Sequence, residues 1–174
     1  MPVPEFKKEK AFKLPTHIWS KECFACGTEN SHGLHMPFYA DDKYLWSEIE
    51  LRDCYKGWDQ VIHGGVLSTI LDEIMGWAAI YITKNIILTK SMSISYHEKV
   101  STNSRIRAFA WIEEIRRNEI TLKSELYNDN GVLCTSANGL YALFPLKLAR
   151  RLRLMSEESL LTFDRFLEAC YKPM

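Results

Sequence analysis

Between Ile87 and Phe144 the chain of 174 residues runs through four alternating segments, joined by turns too short for any crossover. The segments are ILTKSMSISYHEKV (Ile87–Val100), RIRAFAWIEEI (Arg105–Ile115), EITLKSELYN (Glu119–Asn128) and VLCTSANGLYALF (Val132–Phe144). Alternation with period two marks strands that bury one face. Arg116-Arg117-Asn118 joins the second to the third, and NDNGV is a strong hairpin turn before the fourth. Parallel strands need connections of about a dozen residues or more, so these four should pair antiparallel. Upstream, YLWSEIEL (from Tyr44) alternates as a fifth strand, and the loop RDCYKGWDQ leads from it into a helix. The order is therefore one strand, one long helix and four strands. It implies an α+β fold in which a five-stranded antiparallel sheet wraps one face around a central helix. The opposite face and at least one edge would stay open, which invites a partner subunit.

The ends differ from this middle. Residues 1–22 read as an arm, because Pro2, Pro4 and Pro15 resist regular structure and the lysines are solvated. One domain is expected over 23–148, opening with a loop-like stretch at 23–42 broken by Gly27, Asn30, Gly33 and Pro37. A helical tail is expected over 149–174, with Ser156 as cap, Glu157 and Glu158 in the first turn, and Leu160, Leu161, Phe163, Phe166 and Leu167 as apolar contacts. Lys+Arg and Asp+Glu balance at 22 each, so no global attraction to nucleic acid or to an acidic membrane is implied. MPVPEFKKEK has no apolar run behind its lysines, and Ile70–Ile82 is interrupted by Asp72, Glu73 and Gly76, so neither a secretory signal nor a membrane span is expected. The five cysteines are odd in number and scattered, which argues against a disulfide framework and for a reducing cytoplasm.

The helix begins at VIHGGVLSTILDEIMGWAA (Val61–Ala79) and carries two acids in mid-course. Leu67, Ile70, Leu71, Ile74, Ala78 and Tyr81 form its apolar stripe. At about 100° per residue, Asp72 shares a face with Gly65, Ser68, Thr69, Met75, Gly76 and Ala79, mostly small residues that admit close approach. Glu73 falls on a neighbouring face with Val66, Thr69, Ile70, Trp77 and Ile80, where it would form an ion pair or border the same cleft. Gly64 and Gly65 bring bare N–H groups to the helix N-terminus, where unsatisfied donors and the helix dipole stabilise negative charge. A carbonyl oxygen gaining charge under nucleophilic attack would fit there. Asp72 lies roughly 11 Å further along the axis, too far for both to act on one carbonyl within one helix. Two copies about a twofold axis could set Gly64 of one against Asp72 of the other.

Read together, CFACGTENSHGL (Cys23–Leu34), IHGGVLSTILDEIMGWA (Ile62–Ala78) and LTKSMSISYH (Leu88–His97) resemble the hotdog-fold acyl-CoA thioesterases, and among them the phenylacetyl-CoA thioesterase type. The resemblance runs from about Cys23 to Phe144 and leaves the tail uncovered. It implies the hotdog fold, dimers or dimers of dimers, and a thioester held at the dimer interface. Asp72 would be the catalytic carboxylate, as general base or nucleophile. Gly64, with Gly65 beside it, would polarise the carbonyl, His63 would shape that loop, and Thr89 would help hold the water. Relatives often carry Asn or Gln six residues before the histidine, where this chain has Gly57, and Gln60 or Asp59 is the available substitute. Ser68, Glu73 and Trp58 would border the substrate. Trp46, Trp58, Trp77, Tyr81 and Tyr96 cluster near the expected cleft, consistent with a medium-length or aromatic acyl group.

Cys23, Cys26, His32 and His35 place four soft donors in thirteen residues, a set able to hold zinc. The resemblance instead makes the C-x-x-C-G part of a loop over the barrel mouth, and no resident metal or cofactor is expected. Cys54 and Cys134 have no evident histidine partner. Lys99, Arg116-Arg117 and Arg150-Arg151 with Arg153 are candidates for the phosphates of CoA. The expected partners are an acyl-CoA and a second copy of the chain, with no nucleic acid and no membrane. The rival is a non-catalytic acyl-CoA binding or sensing protein on the same fold, which the Gly57 departure favours and the retained Asp72 opposes. A hydratase on this fold would need a catalytic histidine with an acid across the interface, and His63 is poorly placed for it.

Overall fold

A computed structural model describes residues 11–41 and 43–171. Half of the expected N-terminal arm and the last three residues lie outside them. The alternating runs form strands β3 (Leu45–Leu51), β6 (Ile86–Tyr96), β7 (Ser104–Arg116), β8 (Glu119–Asn128) and β9 (Leu133–Phe144), each within a few residues of its expected bounds. Two short strands, β1 (Phe12–Lys13) and β2 (Tyr39–Ala40), extend the sheet beside β3. Its order is β1-β2-β3-β7-β8-β9-β6, antiparallel throughout. A separate hairpin of β4 (Lys56–Trp58) and β5 (Val61–Ile62) leads into the helix. The β1, β2, β4 and β5 segments are too short to show a period, which is why alternation alone misses them.

Helix α1 (Gly64–Thr83) lies across β3, β6, β7, β8 and β9. It is long and apolar enough to cross a membrane by length and composition. Here the sheet encloses it, and Ile70, Leu71, Ile74 and Met75 are wholly buried against Ile106, Ala108, Ile120, Leu122 and Leu126. Lys84 ends the helix in the left-handed region (φ 57°), with its N–H on the Ile80 carbonyl. The outer face of the sheet, expected to be open, is partly covered. Trp46, Phe109 and Tyr127 bury one another there, and Tyr39 stacks on Trp46 with ring centroids 4.2 Å apart.

The chain then forms a short helix, α2 (Leu146–Leu152), and a long one, α3 (Glu157–Tyr171). Ser156 caps α3 as expected, its Oγ accepting from the Ser159 N–H at 3.1 Å. The apolar side of α3 packs Phe163 on Trp19 (4.7 Å between centroids) and Phe166 on Trp77 (5.2 Å). Trp19 belongs to the expected arm and Trp77 to α1, so the arm and the tail close together over the exposed flank of the central helix.

Candidate active site

Asp72 stands two turns into α1, half-buried, where the helix passes β6 and β9. Its Oδ1 accepts from Thr89 Oγ1 at 3.0 Å and from the Tyr141 hydroxyl at 2.9 Å. The same hydroxyl reaches the Asp72 carbonyl oxygen at 3.2 Å. Asp72 Oδ2 has no partner among the described residues. Tyr141 is wholly buried, and burial first, then the Asp72 charge, hold its phenol far above the usual range. It therefore stays protonated and always donates.

Two backbone features aim these hydroxyls. In β6 against β9, Thr89 pairs with Tyr141 and Ser91 with Leu140, so Lys90 is an extra residue, a β-bulge. Ile87 and Thr89 face the helix before the bulge, and Met92 and Ile94 face it after. In β9, a Cβ at Gly139 would stand 2.6 Å from Tyr141 Cε2 and 3.0 Å from Met75 Cε. Only glycine lets the tyrosine ring lie there.

Beside this carboxylate opens a cleft of about 180 Å³, walled by Trp19, Cys23, Glu73, Trp77, Ile87 and Met155 among others. Residues outside the sequence resemblance thus supply part of its wall. Glu73 points to a different set of partners from Asp72. Trp77 Nε1 donates to its Oε1 at 2.9 Å, and Cys23 Sγ lies 3.4 Å from the same oxygen. Burial raises the Glu73 carboxyl to about 7, helped by the charge of Cys23. Cys23 is pushed down to about 5, mainly by the hydrogen bond with the Cys26 thiol, while Cys26 is pushed far up. The Cys23 sulfur also accepts the Ala25 N–H at 3.3 Å.

The helix tip lies in other hollows. His63 caps α1, its Nδ1 accepting the Gly65 N–H at 2.9 Å. Gly65 was expected to offer a donor and does not: its N–H is spent on that cap. The Gly64 N–H has no acceptor among the described residues, and the Gly64 carbonyl accepts from Ser68 Oγ (3.0 Å) and the Tyr96 hydroxyl (3.2 Å). Gly64 shares a hollow with Trp58, Tyr96 and Lys99, separate from the Asp72 cleft. Trp58 is 74% exposed. Gln60 is exposed in the β4–β5 turn and does not line the Asp72 cleft. At Gly57 an added Cβ would stand 3.2 Å from His63 Cα and 3.3 Å from its ring, so the missing side chain makes room for the capping histidine. Within one chain, then, Asp72, Thr89 and Glu73 meet, whereas Gly64, Ser68 and Trp58 gather elsewhere. Sequence reasoning missed Tyr141, whose signal was a tyrosine on the inward phase of its strand needing a partner for its hydroxyl.

Residues 59–135 match the family model of the thioesterase superfamily. No curated protein matches the chain. Among solved structures, a thioesterase superfamily protein aligns with a TM-score of 0.66 at 19% identity, covering 80% of this chain and 69% of its own. A hypothetical thioesterase from Streptococcus pneumoniae, solved with coenzyme A, aligns at 0.54 and 17% identity, covering 59% and 82%. The E. coli PaaI protein from the phenylacetic acid degradation operon aligns at 0.60 and 13%, covering 64% and 81%. The chain has the hotdog fold, and its segment 59–135, which carries Gly64, Asp72 and Thr89, is similar to the thioesterase superfamily.

Proposed function

We propose that the chain hydrolyses an acyl-CoA thioester to the free acid and CoA, at a site shared between two copies. The observation that carries this reading is the Asp72 carboxylate. Two hydroxyl donors fix it through Oδ1, and Oδ2 is left to take a proton from water or to attack the carbonyl carbon. The open Gly64 N–H at the tip of α1 suits the developing oxyanion. It lies in a different hollow from Asp72 of the same chain, so the partner's helix would have to present it. The coenzyme A held by the pneumococcal neighbour supports a CoA ester as the substrate class. A reducing cytoplasm suits the five unpaired cysteines.

The test is a panel of acyl-CoAs assayed by release of free thiol, with Asp72→Asn alongside. Turnover should fall by about 10²–10⁴-fold, the usual contribution of a positioned base. Hydrolysis undiminished in the variant would sink the mechanism. Gly57 supports a second reading, an acyl-CoA binding protein, and binding without turnover by the unaltered chain would favour it.

A further inference from the structure

The resemblance gives Cys23 and Cys26 a place in a loop and Glu73 a place at the border of the substrate, and the proposed hydrolytic step uses none of the three. Cys23 and Cys26 sit in the loop ahead of β2, and Glu73 sits on α1, 50 residues beyond Cys23. Their two sulfurs and a carboxylate oxygen all lie within 4.8 Å of one another. Cys26 is buried (2% exposed), and Cys23 and Glu73 both line the Asp72 cleft. We propose that Cys23 Sγ, Cys26 Sγ and Glu73 Oε1 form a site for a thiophilic divalent cation of the Zn²⁺ type, clamping the N-terminal loop to the central helix.

The donor chemistry is two thiolates and a carboxylate, a set that tetrahedral zinc accepts. With Zn–S and Zn–O bonds of the usual length, the sulfur-to-oxygen edge of a tetrahedron is about 3.5 Å. Cys23 Sγ and Glu73 Oε1 stand 3.4 Å apart. Trp77 Nε1, donating to Glu73 Oε1 at 2.9 Å, supplies the outer hydrogen bond that fixes a ligating carboxylate. Three protein donors leave a fourth position, and the cleft lined by Cys23 and Glu73 is where water or a ligand would fill it. The ligand set differs from the one the spacing suggested. His35 Nε2 is tied to the Asn30 carbonyl at 2.7 Å, and His32 lines another hollow with Arg52 and His63. Glu73 from the helix takes their place. Binding displaces the ligand protons into solvent and needs no oxidant or reductant.

The test uses the full chain, reduced and stripped of metal, titrated with Co²⁺ and then Zn²⁺. One equivalent of Co²⁺ should bind with cobalt–thiolate charge-transfer absorption and tetrahedral ligand-field bands, and Zn²⁺ should displace it. Zn²⁺ should also raise the melting temperature. Cys23→Ser and Glu73→Gln, each checked for an intact circular dichroism spectrum, should weaken Zn²⁺ by more than the roughly 10–100-fold that loss of an outer-shell partner costs. The assignment is overturned if the reduced chain binds no metal. It is equally overturned if binding lacks the thiolate band, if it survives in both variants, or if a Cys23–Cys26 disulfide forms in air despite excess Zn²⁺.

Discussion

Asp72 and Glu73 are neighbours in sequence and belong to different neighbourhoods in space. Asp72 is held by hydroxyls from the sheet, Glu73 by an indole and a thiol from the helix and the loop. Removing one hydroxyl tests how much the first arrangement matters. Tyr141→Phe takes away a hydrogen bond to a charged group, worth about 1.5–3 kcal/mol. Turnover of a good acyl-CoA should fall about tenfold or more, which steady-state kinetics will show. Thr89→Ala, at an exposed position, should cost less; equal losses would mean that Tyr141 is no better a positioner than a surface hydroxyl. Asp72 was legible in the sequence because an acid on a small-residue face is an anomaly that asks for a use. Tyr141 was not, because it shares its strand's inward phase with ordinary core residues. The contact of Glu73 with Cys23 spans the loop, β3 and the first half of α1, and no local spacing encodes it.

Among the elements, those with a long period were readable, and those shorter than a period were not. Helix α1, the five main strands and α3 all fall where alternation, stripe and cap put them. Two chain segments give direct tests of local chemistry. In the β8–β9 turn, Gly131 has φ 75°, a region costly for other L-residues. Gly131→Ala should therefore destabilise the protein by about 1–2 kcal/mol, read from urea unfolding. At the start of α1, Gly64→Pro removes the N–H that the proposed chemistry needs, and the added Cβ would meet Tyr96 at 3.5 Å, an ordinary contact. Proline suits the first helical position, and His63 (φ −61°, ψ 131°) already has the extended backbone that proline demands of its predecessor. The variant should fold with nearly unchanged stability and lose thioester turnover. Full activity would remove Gly64 from the mechanism.

At the scale of the whole molecule, the sheet is unequally finished. One edge tapers into the two-residue strands β1 and β2, while the other ends in the eleven-residue β6, paired on one side only among the described residues. Leu88 and Tyr96 on β6 are exposed, as is Trp58 near the tip of α1. A shared site makes a strong prediction here. Asp72→Asn and Gly64→Pro should each be inactive alone. Mixed and reassembled, they should regain about a quarter of full activity, because a mixed dimer, half of a random population, has one of its two sites intact. No recovery on mixing, with exchange verified by mass, would confine the chemistry to one chain. The tail carries a separate prediction. Phe163→Ala, wholly buried against Trp19, should cost about 3–5 kcal/mol, seen in the melting transition.

The extra residue in β6 has a consequence for how such a chain can change over time. Before Lys90 the helix-facing positions are odd-numbered, Ile87 and Thr89; after it they are even-numbered, Met92 and Ile94. The bulge absorbs one residue without changing which side chains face the helix: if Lys90 were lost, plain alternation would still turn Thr89, Met92 and Ile94 to that side. Position 90 is thus free in count as well as in chemical identity. Losing Ser93 instead would put Met92 and Ile94 on opposite faces of the sheet. Lineages descended from such a sequence should accept substitution at position 90 freely, and a gap there more readily than one between Met92 and Ile94.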